Sequence, residues 1–66
     1  MPKATLAELQ TLLERLTTEQ HALIDSAARH GESIHRAELR TIAELENAIA
    51  AVLALIDERG TGRPAR

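Results

Sequence analysis

The residues of this chain whose types and spacing could do chemistry are concentrated around three histidines. Glu32 and His35 stand three residues apart, which places a carboxylate and an imidazole on one face of a helix. Glu38 follows at the same spacing. Carboxylate oxygens and imidazole nitrogens are common metal ligands in proteins. Glu32, His35 and Glu38 are therefore the candidate metal ligands of this sequence.

The Glu-x-x-His spacing at Glu32 and His35 resembles the iron sites of diiron carboxylate bundles, including encapsulated ferritins, two-helix chains that dimerise around iron. The facing stretch offers Ala27 and Ala28 where such a site needs a second inward carboxylate. The alternative interpretation is a glutamate in a first helical turn beside a surface histidine. We therefore expect no metal and no cofactor, and we keep a metal-binding, ferritin-like bundle as an alternative function.

A second candidate pair, His21 and Asp25, has the i, i+4 spacing of a carboxylate-oriented histidine that could serve as a base. Asp25 is equally well placed to pair with Arg29, and a solvated surface pair is the simpler interpretation. Ser26 and Ser33 complete the residue types of a catalytic triad. A helical hairpin, however, has no strand-turn-helix elbow to hold one. The sequence also has no Gly-rich phosphate loop, so we predict no enzyme.

One short stretch is locally basic and could contact phosphate. It contains Arg29, His30, His35, Arg36 and Arg40. Small dimeric hairpins can grip RNA through such a helical face, which makes a nucleic-acid-binding regulator a second alternative function. Against it stand a formal charge of -2 and the absence of aromatic residues on which bases could stack. Ordinary i, i+4 pairing with Glu32 and Glu44 accounts for the same arginines. We therefore do not expect nucleic acid as a partner.

The composition places the chain among small folded domains. Its 66 residues allow one domain, and 44% of them are apolar, which does not suggest disorder. Without cysteine there is no disulfide framework and no thiolate metal site. The start of the chain lacks the features of a signal peptide, and no apolar run approaches roughly 18 residues. We expect a cytoplasmic protein with no membrane contact.

The elements that must position these residues are two amphipathic helices. The second is the clearest, because the large apolar residues between positions 37 and 56 recur at intervals of three and four: Leu39, Ile42, Leu45, Ile49, Val52, Leu53 and Ile56. The first begins with Thr5 and Glu8, which have the spacing of a capping box. Its seam follows a heptad pattern through Leu6, Leu9, Leu13, Leu16, Gln20, Leu23 and Ala27.

A short polar segment separates the two helices. Gly31 suits the left-handed residue that ends a helix, and Ser33 suits the cap that begins the next. We predict a leader at 1–4, helices at 5–29 and 34–59 with a turn at 30–33, and a disordered basic tail at 60–66 that begins with Gly60. Helices joined so closely must fold back, so the fold class is all-α, an antiparallel two-helix hairpin.

Each apolar stripe is wider than one partner helix can cover. A hairpin alone would leave several flanking leucines in water, so we expect two hairpins to form a four-helix bundle. The expected interface residues are Leu9, Leu12, Leu16, Gln20, Ile24, Leu39, Ile42, Leu45, Ile49, Leu53, Leu55 and Ile56. Gln20 is the polar residue in the middle of this aliphatic seam, and we expect it to fix the register in which the helices pair.

Part of the second helix, together with the general layout, resembles the two-helix cytoplasmic co-chaperones of type III secretion needle subunits. The likeness rests on Leu45-Glu46-Asn47-Ala48-Ile49, a Leu-Glu-small-Ala-Ile segment that leads into aliphatic residues. The resemblance implies a second chaperone, bound around Leu39, Leu53 and Leu55, in place of another copy of the chain. The Gly-Arg-Pro tail has no counterpart in that family. We thus predict a non-enzymatic interaction module that binds itself, another helical protein, or both.

Overall fold

The computed structural model describes residues 2–33 and 35–61, without the side chain of Thr61. It contains two helices, α1 (Leu6–Arg29) and α2 (Arg36–Thr61), and no strand within those residues. The helices pack against each other antiparallel in a body of 46 × 23 × 21 Å. The all-α hairpin predicted from the sequence is confirmed. Neither helix combines the length and apolar character needed to cross a membrane within the part of the chain described.

The start of α1 shows the capping box predicted from Thr5 and Glu8. The backbone N–H of Glu8 donates to Thr5 Oγ1 at 3.0 Å, and the backbone N–H of Thr5 donates to Glu8 Oε1 at 2.8 Å. Two amides that the first turn would otherwise leave unpaired are thereby satisfied. From this start α1 continues through its β-branched, polar segment at 17–20 without a break.

The connection between the helices turns on Gly31, whose φ of 71° is the left-handed conformation predicted for it. Before it, the His30 amide donates to the Ala27 carbonyl at 3.2 Å and closes α1. The start of α2 differs from the prediction, since the His35 carbonyl accepts its first bond, from the Leu39 amide at 3.1 Å. The N-cap position therefore falls on His35, not Ser33.

The other end of α2 also differs from the prediction. Gly60 does not stop the helix, which continues to Thr61. Glycine favours helix ends because it tolerates a left-handed backbone, yet in a right-handed helix it costs only about 1 kcal/mol relative to alanine. Positions 60 and 61 are thus helical and not part of a tail. The rest of the predicted tail, 62–66, lies outside the described residues.

The core between the helices is thin. Leu9 and Ile49 are the buried apolar residues among those described, with 6% and 8% of their surfaces exposed. The half-buried large apolar residues along the seam are Leu13, Leu16, Leu23, Ile42, Leu45, Val52, Leu55 and Ile56. Leu6, which was also predicted in the seam, is 38% exposed. Two packed helices bury side chains only along the line where they touch. The sequence has no aromatic side chain that could extend the buried area beyond that line. The hairpin therefore presents a seam and not an enclosed core.

Candidate interaction surface

At the middle of the hairpin Gln20 joins the two helices, and only 8% of its surface is exposed. Its Nε2 donates to Glu46 Oε1 at 2.9 Å and reaches the Ile42 carbonyl oxygen at 3.5 Å. The predicted position of Gln20 opposite Ile42 is confirmed. The carboxylate partner was not predicted, because Glu46 occupies a flanking position that the apolar pattern assigns to solvent. Glu46 lies one turn after Ile42 on α2, and this position could have predicted its contact with Gln20.

At the end of the hairpin opposite the turn, which we call the open end, Arg59 crosses to the first helix. Its Nη1 donates to the Ala4 carbonyl oxygen at 2.8 Å. Arg59 is half-buried here. This contact brings positions 55 residues apart to the same level of the hairpin.

Three of the large apolar side chains that remain exposed lie along one side of the hairpin. Ile24 is 43% exposed, and Leu39 and Leu53 are each 49% exposed. Leu39 and Leu53 are fourteen residues apart, two heptads, so they share a face of α2. Ile24 occupies the equivalent heptad position on α1, and in an antiparallel pair equivalent flanks lie on the same side. We call this side the Ile24 flank.

The predicted interface residues thus separate into groups. Leu9, Gln20 and Ile49 are buried within the hairpin, while Leu16, Ile42, Leu45, Leu55 and Ile56 are half-buried along its seam. Leu55 was expected to be as exposed as Leu53, but the hairpin itself covers much of it. Leu12 is 40% exposed on the side opposite the Ile24 flank. The exposed residues on the Ile24 flank, together with Leu12, are those available to another molecule.

The turn end of the hairpin gathers two histidines and a carboxylate. His30 Nδ1 lies 3.6 Å from Glu38 Oε1, and the rings of His30 and His35 meet edge to face, with centroids 5.1 Å apart. Oxygen Oε1 of Glu38 is shielded from solvent and accepts no hydrogen bond from the described residues. Sequence reasoning missed His30 as a member of this cluster, because a turn residue has no periodicity that would predict its contacts.

The candidate metal ligands do not form a site. Glu38 and His35 each approach His30, while Glu32 is exposed in the turn. Within residues 2–33 and 35–61, no three histidine, aspartate or glutamate side chains are arranged to hold a metal ion. What the cluster offers chemically is a single ion pair that forms when His30 is protonated.

The candidate nucleic-acid contacts are exposed near the same end. Arg29 is the last residue of α1, Arg36 is the first of α2, and Arg40 follows one turn later. Arg36 and Arg40 lie four apart on one face of α2 and could contact an anionic partner. The acidic side chains around them, Glu32 and Glu44, are also exposed.

The residues weighed for catalysis lie on an open helix surface. His21 and Asp25 are exposed on α1, Ser26 is half-buried on the same helix, and Ser33 is in the turn. Two shallow depressions follow the outer side of α1. One is lined by Ala4, Ala7, Glu8, Thr11, Leu12 and Arg15, and the other by Glu14, Arg15, Thr18 and Glu19, so Arg15 lines both. Both are wide open to solvent, so they lack the enclosure that a reacting substrate needs.

No protein-family model, curated protein or solved structure matches the chain. The resemblance to needle-subunit co-chaperones therefore stays a prediction.

Proposed function

We propose that this protein is a non-enzymatic helical interaction and assembly module that acts by self-association. The observation that carries the proposal is the set of large apolar side chains that the hairpin leaves exposed. Leu6, Leu12, Ile24, Leu39 and Leu53 keep between 38% and 49% of their surfaces exposed. A chain whose large apolar residues are this exposed when it is alone is suited to packing against further helices.

The energetic scale supports association. Complete burial of a leucine or isoleucine side chain contributes roughly 1.5–3 kcal/mol. The exposed portions of five such side chains therefore correspond to several kcal/mol of burial free energy that does not stabilise a single hairpin. A whole small domain is stable by only about 5–15 kcal/mol. Three of them, Ile24, Leu39 and Leu53, lie on one flank, so a second hairpin that covers this flank, as in a four-helix bundle, would contribute substantially to stability.

The same surface could accept a helix of another protein, which is the mode that the co-chaperone resemblance implies. In that mode the protein would act as a chaperone-like adaptor in the cytoplasm, the location predicted from the sequence. Self-association is preferred because the exposed residues lie on both helices, Ile24 on α1 and Leu39 and Leu53 on α2. A hairpin copy supplies two helices to cover them at once.

Sedimentation equilibrium over a concentration series, with helicity followed by circular dichroism, tests the proposal. We expect a dimer or higher oligomer at micromolar concentration. Leu53→Glu should shift the chain toward unfolded monomer, since the interface would then bury a charge without a partner. Ala54→Glu is the matched control, because Ala54 is exposed next to Leu53 but lies on the outer side of α2. A cooperatively folded monomer at every concentration would contradict self-association.

A further inference from the structure

A second regular stripe runs along α2, outside the seam between the two helices. It alternates four and three residues through Leu39, Ala43, Glu46, Ala50 and Leu53. That alternation keeps a stripe on one face of a helix over several turns. All five residues are exposed in the hairpin. The two alanines allow another helix to approach closely, and the two leucines lie at the ends of the stripe.

The stripe on α2 is nearly symmetric about Glu46. Reversing its direction places Leu39 against Leu53 and Ala43 against Ala50. One step further out, it places Arg36 against Asp57, a basic residue against an acidic one. A stripe with this property is complementary to an antiparallel copy of itself, in size at the inner positions and in charge at the ends.

The corresponding stripe on α1 runs through Ala7, Gln10, Glu14, Thr17, His21, Ile24 and Ala28, and the order of its members is nearly symmetric about Thr17. Reversal places Glu14 against His21, so a carboxylate meets an imidazole, and it places Gln10 against Ile24. It also sets two small residues, Ala7 and Ala28, against each other. The polar Gln10 is long enough to lie along an apolar neighbour with its amide in water.

The two centres of symmetry lie at one level of the hairpin. Arg59 meets Ala4 at the open end. Moving thirteen residues inward along each helix from this contact brings Thr17 opposite Glu46. The contact of Gln20 Nε2 with the Ile42 carbonyl oxygen gives the same register to within one residue. A single two-fold axis perpendicular to the helices can therefore pass through both centres.

We propose that the Ile24 flank, with these two stripes, binds a second copy of the chain antiparallel, so that the two turns lie at opposite ends of a four-helix bundle. The proposal rests on the self-association proposed above and names its face and direction. In this arrangement α1 packs on α1 of the other copy and α2 on α2. Glu46 lies near the axis in both copies, and its bond to Gln20 draws each carboxylate toward its own hairpin.

A parallel bundle, with both turns at one end, fits the pattern less well. It would pack α1 on α2 of the other copy at equal levels. Leu39 would then face Ile24 and Leu53 would face Gln10, so the large apolar side chains are covered about as well as in the antiparallel bundle. The difference lies between them, where Ala43 would face His21 and Ala50 would face Glu14. Charged side chains would meet alanines, and neither the Arg36–Asp57 nor the Glu14–His21 complementarity would be used.

Cysteine cross-linking tests the direction, since the natural chain contains no cysteine. An equimolar mixture of Ala43→Cys and Ala50→Cys chains should give a covalent heterodimer as the main product of mild oxidation. A mixture of Ala43→Cys with His21→Cys is the matched control and should give little, because only a parallel bundle brings those positions together. Predominant cross-linking in the His21 mixture would overturn the antiparallel proposal.

A distance between spin labels on Glu32→Cys in the turn gives a second, independent measurement. Antiparallel packing about Thr17 should separate the labels by about 40–45 Å, at 1.5 Å of helix per residue. Parallel packing should bring them within about 10–20 Å, given the spacing of packed helices. An associated chain with the short distance refutes the direction and leaves self-association standing. The long distance without the 43–50 cross-link refutes this face, and a monomer in sedimentation refutes both proposals.

Discussion

The two ends of the hairpin are held together by different means. The half toward the open end contains both buried apolar residues, Leu9 and Ile49. A hydrogen bond from Arg59 to Ala4 links the two ends of the chain there. The turn end has a polar cluster around His30, with one shielded carboxylate oxygen that accepts no hydrogen bond from the described residues. The covalent connection at the turn keeps the helices together where apolar contact is weakest. Apolar packing is concentrated toward the open end, where no covalent connection joins the two helices.

The largest expected effect lies in the open half. Ile49→Ala should lower the free energy of unfolding by about 2–4 kcal/mol, because it removes buried methylene groups and leaves a gap. Ile42→Ala is the matched control, the same substitution at a half-buried position nearer the turn, and should cost about half as much. Urea denaturation followed by circular dichroism measures both. A larger loss in Ile42→Ala would reverse the comparison of the two ends.

A smaller effect is expected from the two glycines, with opposite signs. Gly31→Ala should cost about 1–2 kcal/mol, because its φ of 71° is left-handed and an alanine Cβ is strained there even in open space. Gly60→Ala should instead stabilise the chain by up to about 1 kcal/mol, since Gly60 is helical and a Cβ would meet nothing. Thermal denaturation of both variants compares them. Equal shifts would show that the turn conformation is not under constraint.

At the boundary between the halves, Gln20→Leu should lower stability by about 1 kcal/mol, because Glu46 loses its donor from the other helix. Glu46→Gln keeps a carbonyl oxygen that can accept the same bond and should cost less. Chemical denaturation of the two variants measures the difference. If Gln20→Leu is more stable than the natural chain, the bond to Glu46 specifies register without adding stability.

The smallest effect is expected at the turn end. His35→Ala should change the free energy of unfolding by less than about 1 kcal/mol, because the side chain is exposed and its ring meets the His30 ring edge to face. Metal analysis of the natural chain and the variant should give equal background values for iron and zinc. Stoichiometric metal in the natural chain that disappears in the variant would favour the ferritin-like alternative.

The fold was largely predictable, because local patterns determine it. The capping box at Thr5, the left-handed Gly31 and the position of Gln20 opposite Ile42 all follow from spacing and residue type. The contacts of His30 and Glu46 could not be predicted in the same way. Each depends on which side chains the register brings together once the two helices have met.

The ends of α2 show the limit of local signals. Ser33 and Gly60 are good cap residues by type, yet α2 begins at Arg36 and passes through Gly60. A cap preference is worth about 1 kcal/mol, which the geometry of the connection and of the neighbouring turns can outweigh. The interaction surface was predicted as a set of exposed leucines. Assigning these leucines to one flank or the other required knowing the register of the assembled hairpin.

The bond from Arg59 to Ala4 also determines how the hairpin responds to mechanical force. Because positions 4 and 59 meet at the same end, a pull applied at these two positions opens the helices from that end, as a zipper opens. The contacts then carry the load one level at a time, beginning with this bond and reaching the turn last. A force applied instead between the turn and the open end would load the whole seam in shear. The hairpin is therefore mechanically anisotropic, weak across its open end and strong along its length.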